Sequence, residues 1–228
     1  MISILLGIII GIIHYYSKPF CNYCYNYRVY LISFSGGVFL TYVIFKLLPL
    51  FSLGAVQISL TLYLTILFGF IFFYLVEKYI YQHHSRKRLV AELELEDSII
   101  SFAYHFIGGM FIATFTRISL REGILFSIPL LFQTAVRTLP FDPTHSKTIQ
   151  IILSSSTLFG ILFIEYIYTS PSLLIYHTLL GFIIGSLLFV VTRHSLPFGK
   201  KGKPMFFTIG VIIYTLLILL LTNFKVII

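Results

Sequence analysis

Tryptophan is absent from this sequence, cysteine occurs twice, and carboxylate side chains number only eight in 228 residues. Charged residues make up 11% of the chain, against about 25% in ordinary soluble domains, and the mean hydropathy is +0.96. That balance excludes a soluble globular domain. Two cysteines are too few for a disulfide framework or a four-cysteine zinc module. HExxH, GxxxxGK[ST] and GxSxG are all missing, so the enzyme classes those motifs carry have no support and no enzymatic activity is expected. The pI near 9.5 is not accompanied by a basic stripe with interleaved aromatics, so a nucleic-acid partner is not expected either.

What the chain does have is apolar runs of about 20 residues, the length that crosses a hydrocarbon core of about 30 Å. Between polar breaks these runs predict eight spans, at 1–16, 29–50, 54–80, 97–117, 121–140, 148–168, 171–192 and 204–224. The expectation is an all-α polytopic membrane protein forming one transmembrane domain over 1–228. The first run lacks a basic leader and a small-residue cleavage site, so it reads as a retained helix. The longest break, 82–97, joins a basic "HHSRKR" to an acidic "ELELED" and reads as a solvated cytoplasmic loop, with a short amphipathic helix on the membrane face as the alternative.

Basic residues accumulate in short cytoplasmic loops. With the N-terminus outside, the cytoplasmic loops and adjoining helix ends hold 12 of the 16 Lys and Arg, and the opposite side holds Lys46, Arg117, Arg121 and Lys225. Both termini are therefore expected outside, in a membrane the sequence does not specify. Tyr15, Tyr16, Tyr23, Tyr25, Tyr27 and Tyr30 form the interfacial belt that tryptophan would otherwise supply.

An ionisable group inside a bilayer is a candidate functional residue by default. His105 is such a group, in "ISFAYHFIGGMFIATF". At helical spacing Ser101, Tyr104, His105 and Gly108 share one face, and Gly108 with Gly109 admits a neighbouring backbone. On the next span Pro129 frees a backbone carbonyl, and Gln133, Thr134 and Arg137 add polar groups. These residues read in two ways: as the lining of a polar passage, or as interhelical hydrogen-bond partners with Arg137 snorkelling from a helix end. Carboxylates within the spans are read as Glu77 and Glu165, both near ends. Cys21 and Cys24 form a lone CxxC and read as interfacial cysteines. His83 and His84 read as solvated loop residues.

A weak echo relates "GVFLTYVIFKLLP" (37–49) to "GSLLFVVTRHSLP" (185–197), identical at 5 of 13 positions. A duplication there would group the spans as three, two and three, with a site on the middle pair.

These features resemble the ZIP (Zrt/Irt-like) metal transporter family. "GGVFLTYVIFKLLP" is similar to that family's second helix, with Lys46 in place of a histidine. "FFYLVEKYIYQHHSRKR" is similar to the end of its third helix and "GFIIGSLLFVVTRHSLP" to its seventh. The resemblance implies a ZIP-like 3+2+3 arrangement of eight helices and transport of metal ions across a membrane. It also implies a metal site on the fourth and fifth helices, where "YHFIGG" places Tyr104 on a histidine, His105 on an asparagine and Gly108 on an acid. "FQTAVR" places Phe132 on a histidine, Gln133 on one acid and Arg137 on another. His105 and Gln133 are then the remaining candidate ligands, and a divalent ion would be the substrate. A divalent cation in low dielectric requires anionic or several neutral ligands, and an arginine adds like charge. The expectation is thus a ZIP-like transporter with a degenerate site. Its alternative is a non-transporting pseudo-transporter that regulates or scaffolds a partner through the charged segment Arg86 to Asp97. The partners expected are the lipid bilayer and a second copy of the chain.

Overall fold

The computed structural model describes residues 2–23, 27–83, 86–136, 147–169, 172–195 and 202–221. Among them there is no strand. In chain order the helices are α1 (Ile2–Tyr23), α2 (Arg28–Tyr42), α3 (Leu48–Ile58), α4 (Tyr63–His83), α5 (Arg86–Ile118), α6 (Leu120–Val136), α7 (Lys147–Leu162), α8 (Leu173–Val190) and α9 (Pro204–Leu221). A π-helical turn, Val43–Leu47, joins α2 to α3 in one rod, so eight rods are described.

Five stretches are long and apolar enough to cross a membrane: Val29–Ile58, Leu60–Tyr79, Lys147–Ile167, Leu173–Arg193 and Pro204–Leu221. Ile2–Ser17 is apolar but shorter. At 17 residues α6 is shorter than these five.

Several boundaries differ from those the apolar runs predict; α1 runs to Tyr23 instead of ending at 16, and two further changes have a local cause. The second rod continues past 50 to Ile58, and the third begins after Ser59 instead of at 54. Apolar residues continue through this region, so composition alone does not mark the break. The break is made by Ser59, whose backbone is extended (φ −169°, ψ 135°) and whose side chain accepts from Thr61 N. That is the geometry of a serine N-cap. The second change concerns 82–97. The loop expected there is helical from Arg86, and the charged residues form the first turns of the 33-residue α5.

Glycine sets how the rods approach. A Cβ on Gly37 of α2 would come within 2.2 Å of Phe207 O in α9, and one on Gly210 of α9 within 2.3 Å of Phe34 O in α2. The same reciprocal contact links α4 and α8 through Gly69 and Gly185, and α5 and α7 through Gly109 and Gly160. Backbones packed this closely are the hallmark of small-residue helix crossings.

The echo between 37–49 and 185–197 acquires a structural counterpart. Gly37 and Gly185 each meet a carbonyl of a neighbouring helix. Six residues after each glycine a π-helical turn begins, at Val43–Leu47 and at Val191–Ser195. In the first segment the turn precedes Pro49, which has no N–H to offer the helix ladder. A widened turn beside a proline is a usual way to absorb that loss.

Candidate functional site

The buried polar residues that sequence reasoning singled out lie on α5 and α6, and a third helix completes their surroundings. Along α1, Ser3, Gly7, Ile10, His14 and Ser17 recur at alternating spacings of four and three, and all but the half-buried His14 are buried. This stripe places His14 against α5. Its ring stacks on that of His105, with centroids 4.5 Å apart and planes at 26°. Ser17 donates from Oγ to His14 O at 2.7 Å.

His105 is 1% exposed. Its Nδ1 lies 2.8 Å from Ser101 O. A carbonyl only accepts, so Nδ1 carries a proton. Ser101 Oγ lies 3.4 Å from the same nitrogen. On the other side of the ring, Nε2 is 2.9 Å from Thr134 Oγ1, and that hydroxyl is also 2.6 Å from Leu130 O. Thr134 donates its one hydroxyl proton to Leu130 O, because a carbonyl only accepts, so it is the hydroxyl oxygen that faces Nε2. Gln133 is buried on the same turn of α6. Ser101, His105 and Thr134 are thus brought together as expected, and His14 joins them.

Tyr104 touches that environment, its ring meeting that of His105 edge to face at 5.1 Å, but Tyr104 and Gly108 also border a second one. They face an apolar interior lined also by Phe39, Tyr42, Phe126, Pro129, Leu130, Ile183 and Leu187, with no room for a water-sized sphere. The expected common face of Ser101, Tyr104, His105 and Gly108 therefore divides: the Ser101–His105 edge turns to His14 and Thr134, and the Tyr104–Gly108 edge to aromatic side chains. Phe132, the position the resemblance aligns with a metal-binding histidine, packs edge to face on Phe34 at 5.5 Å. Arg137 and Cys24 lie outside the described residues, as does His84. Of Cys21 and His83 only the backbone is described.

Among the described residues no group of three or more His, Cys, Asp or Glu is placed to hold a metal ion. The two histidines that do meet are poorly arranged for one. Their in-plane lone pairs run side by side in a stack, whereas coordination needs them to converge at about 2.0–2.1 Å from a common point. The Nε2 of His105 is already engaged by a hydroxyl.

Among the described residues, carboxylates of the helices form three ion pairs, none of them expected from the sequence, which marks Glu77 and Glu165 but not Glu122. Glu122, in the first turn of α6, pairs at 2.8 Å with Lys46, which sits in the Val43–Leu47 turn. Glu165 pairs with Arg117 at 3.1 Å and accepts from Ser3 Oγ at 3.0 Å. Arg117 also donates to Thr169 O and Ile164 O, carbonyls at the C-terminal end of the α7 rod, where cations are favoured. Glu77 pairs with Arg193 at 2.8 Å. Lys46 and Arg117, two of the four cations expected on the outer side, are each paired with a carboxylate.

Pro129 does free a carbonyl. The residue four before it is Leu125, and Leu125 O accepts from the Tyr214 hydroxyl of α9. Sequence reasoning points to the vacancy but not to its partner. Between α1 and α6, beside the His14 stripe, a groove of about 260 Å³ is lined by Ile13, Tyr16, Ser17, Leu131 and Ala135.

No protein-family model matches this chain, and no curated protein sequence matches it.

Proposed function

We propose that the chain is a multi-pass membrane protein on a ZIP-like 3+2+3 plan, with both termini outside, that does not move divalent metals and acts as a non-transporting membrane component. One observation carries the reading: the Tyr104–Gly108 edge, aligned by the resemblance with a metal site, faces a closed aromatic interior with no space for water. A conduction path for a divalent ion needs several oxygen or nitrogen ligands along that edge, and the side chains lining it are hydrocarbon apart from the hydroxyls of Tyr42 and Tyr104.

The plan draws support from the matched glycine and π-turn positions of the two echoing segments. The orientation draws support from the Lys46–Glu122 and Arg117–Glu165 pairs, which leave the sparsely charged side with less free positive charge. The scaffold role rests on α5. At 1.5 Å per residue its 33 residues extend about 50 Å, and a bilayer core takes about 20 residues. The surplus is the charged stretch from Arg86 to Asp97, a helical arm able to engage a partner in the aqueous phase.

The second reading is passage of a different polar solute, favoured by the buried His105 and Thr134 and the half-buried His14 beside the α1–α6 groove. Uptake of zinc, manganese, iron and cadmium into liposomes holding the purified protein tests the first reading. Flux equal to that of protein-free liposomes is expected. Saturable flux of any of the four that His105→Ala abolishes overturns it.

A further inference from the structure

The rods pack as two groups of four. One contains α1, α5, α6 and α7; the other contains the α2–α3 rod, α4, α8 and α9. Wherever a described glycine has its missing Cβ position filled by a neighbour, that neighbour belongs to the glycine's own group. Within the groups, backbone contacts interlock α2 with α9, α4 with α8, α5 with α7 and α1 with α7, and side chains meet the glycines that join these pairs.

The seam between the groups is built from side chains. Tyr42 of α2 and Phe126 of α6 meet with centroids 5.7 Å apart, and Phe111 of α5 meets Tyr176 of α8 at 5.5 Å. The small dry void lined by Phe39, Tyr42, Tyr104, Phe126 and Leu187 lies on this seam. Ring-on-ring contacts are adjustable where interlocked backbones are not, because aromatic pairs accept a range of tilts and offsets.

Directed polar links cross the seam at α6. Tyr214 donates to Leu125 O, and Lys46 Nζ donates to Glu122 Oε1 at 2.8 Å, with side chains 18% and 28% exposed. Lys46 is four residues beyond Tyr42 and Glu122 is four residues before Phe126, so the pair lies one helical turn from the Tyr42–Phe126 contact on both rods. It closes one end of the aromatic seam.

We infer that Lys46 and Glu122 form a latch between the two helix groups, with the lysine ammonium as a resident cation that holds the seam shut. A charge-assisted link at a partly buried site is stronger than an exposed ion pair, and removing one partner leaves the other charge poorly solvated. With the link broken, the groups separate at the aromatic seam and not within either glycine-knitted group. This inference rests on the packing of the groups and not on the metal reading, and its readout does not involve flux.

The test uses the full chain with Cys21→Ser and Cys24→Ser and a single thiol probe introduced by Leu187→Cys at the void, or by Phe73→Cys inside one group. Leu187 is 1% and Phe73 is 4% exposed. Maleimide labelling of the Leu187→Cys probe is expected to be slow when Lys46 and Glu122 are intact and about tenfold faster with Lys46→Gln or Glu122→Gln. The charge swap Lys46→Glu with Glu122→Lys returns the slow rate to within about twofold, and the Phe73→Cys probe stays slow throughout. Unchanged labelling at the void overturns the latch. So does a parallel rise at both probes, which would make the pair a general staple of the fold, and so does failure of the swap to restore the slow rate.

Discussion

The Tyr214 hydroxyl offers a direct measure of how much one polar contact stabilises this fold. Tyr214 is 2% exposed, and its hydroxyl donates to Leu125 O, the carbonyl that Pro129 cannot serve because it lacks an N–H. Tyr214→Phe keeps the ring and removes the donor. It leaves a buried carbonyl without a partner, which costs about 1–3 kcal/mol, or about a 5- to 150-fold change in the unfolding equilibrium. The same change at Tyr63, whose hydroxyl meets Ser52 Oγ at an exposed position, is expected to cost less than about 0.5 kcal/mol. Pro129→Ala supplies a backbone N–H for Leu125 O, so in that background the cost of Tyr214→Phe falls, with a coupling of about 1 kcal/mol or more. Reversible unfolding in detergent, followed by helical circular dichroism for the four members of the cycle, gives the numbers. If Tyr214→Phe costs the same with and without Pro129→Ala, the link between the proline and the tyrosine is refuted.

The neighbouring glycines of α5 should respond in opposite ways. Gly109→Ala places a Cβ 2.0 Å from Thr157 O, a backbone atom that cannot yield, so folded protein recovered from membranes should fall severalfold. Gly108→Ala meets the end of the Leu130 side chain at 3.2 Å, which a small rotamer adjustment relieves, and its yield should match the unaltered chain. His105→Ala removes the bonds to Ser101 O and Thr134 Oγ1 and empties a buried volume, and a loss of about 2–4 kcal/mol in the same unfolding assay is expected. A loss below about 0.5 kcal/mol would mean that the ring is not held as described.

Much of the helical plan was legible because a bilayer-length apolar run leaves few alternatives to a helix. The eight rods fall near the eight expected segments. The Ser59 break was not legible, since a single capping serine within an apolar stretch leaves no trace in hydropathy. The helical start of α5 was obscured because opposite charges in sequence, "RKRLVAELELED", suit a solvated loop and a solvated helix equally well.

The site was partly legible. Helical spacing places Ser101 beside His105, and the two are in contact; the polar Thr134 meets the same ring. Spacing alone does not divide a broad face, however, and Tyr104, about 100° around the helix from His105, and Gly108, about 60° from it, border the aromatic seam. His14 was accessible to a closer reading: its alternating spacing with Ser3, Gly7, Ile10 and Ser17 marks a packed stripe. Which helix it meets required the fold. Glu122 lies in a first turn, where an acid is ordinarily explained by the helix dipole, so only the folded chain reveals its pairing with Lys46, 76 residues away in sequence.

Equilibrium zinc binding to the purified chain, with Cys21→Ser and Cys24→Ser so that those thiols contribute nothing, tests most directly whether the helical scaffold is kept without a divalent-metal site. The account predicts no saturable binding that depends on His105. Stoichiometric binding lost with His105→Ala would contradict it, because the ring that stacks on His14 and bonds to Thr134 would then be a ligand.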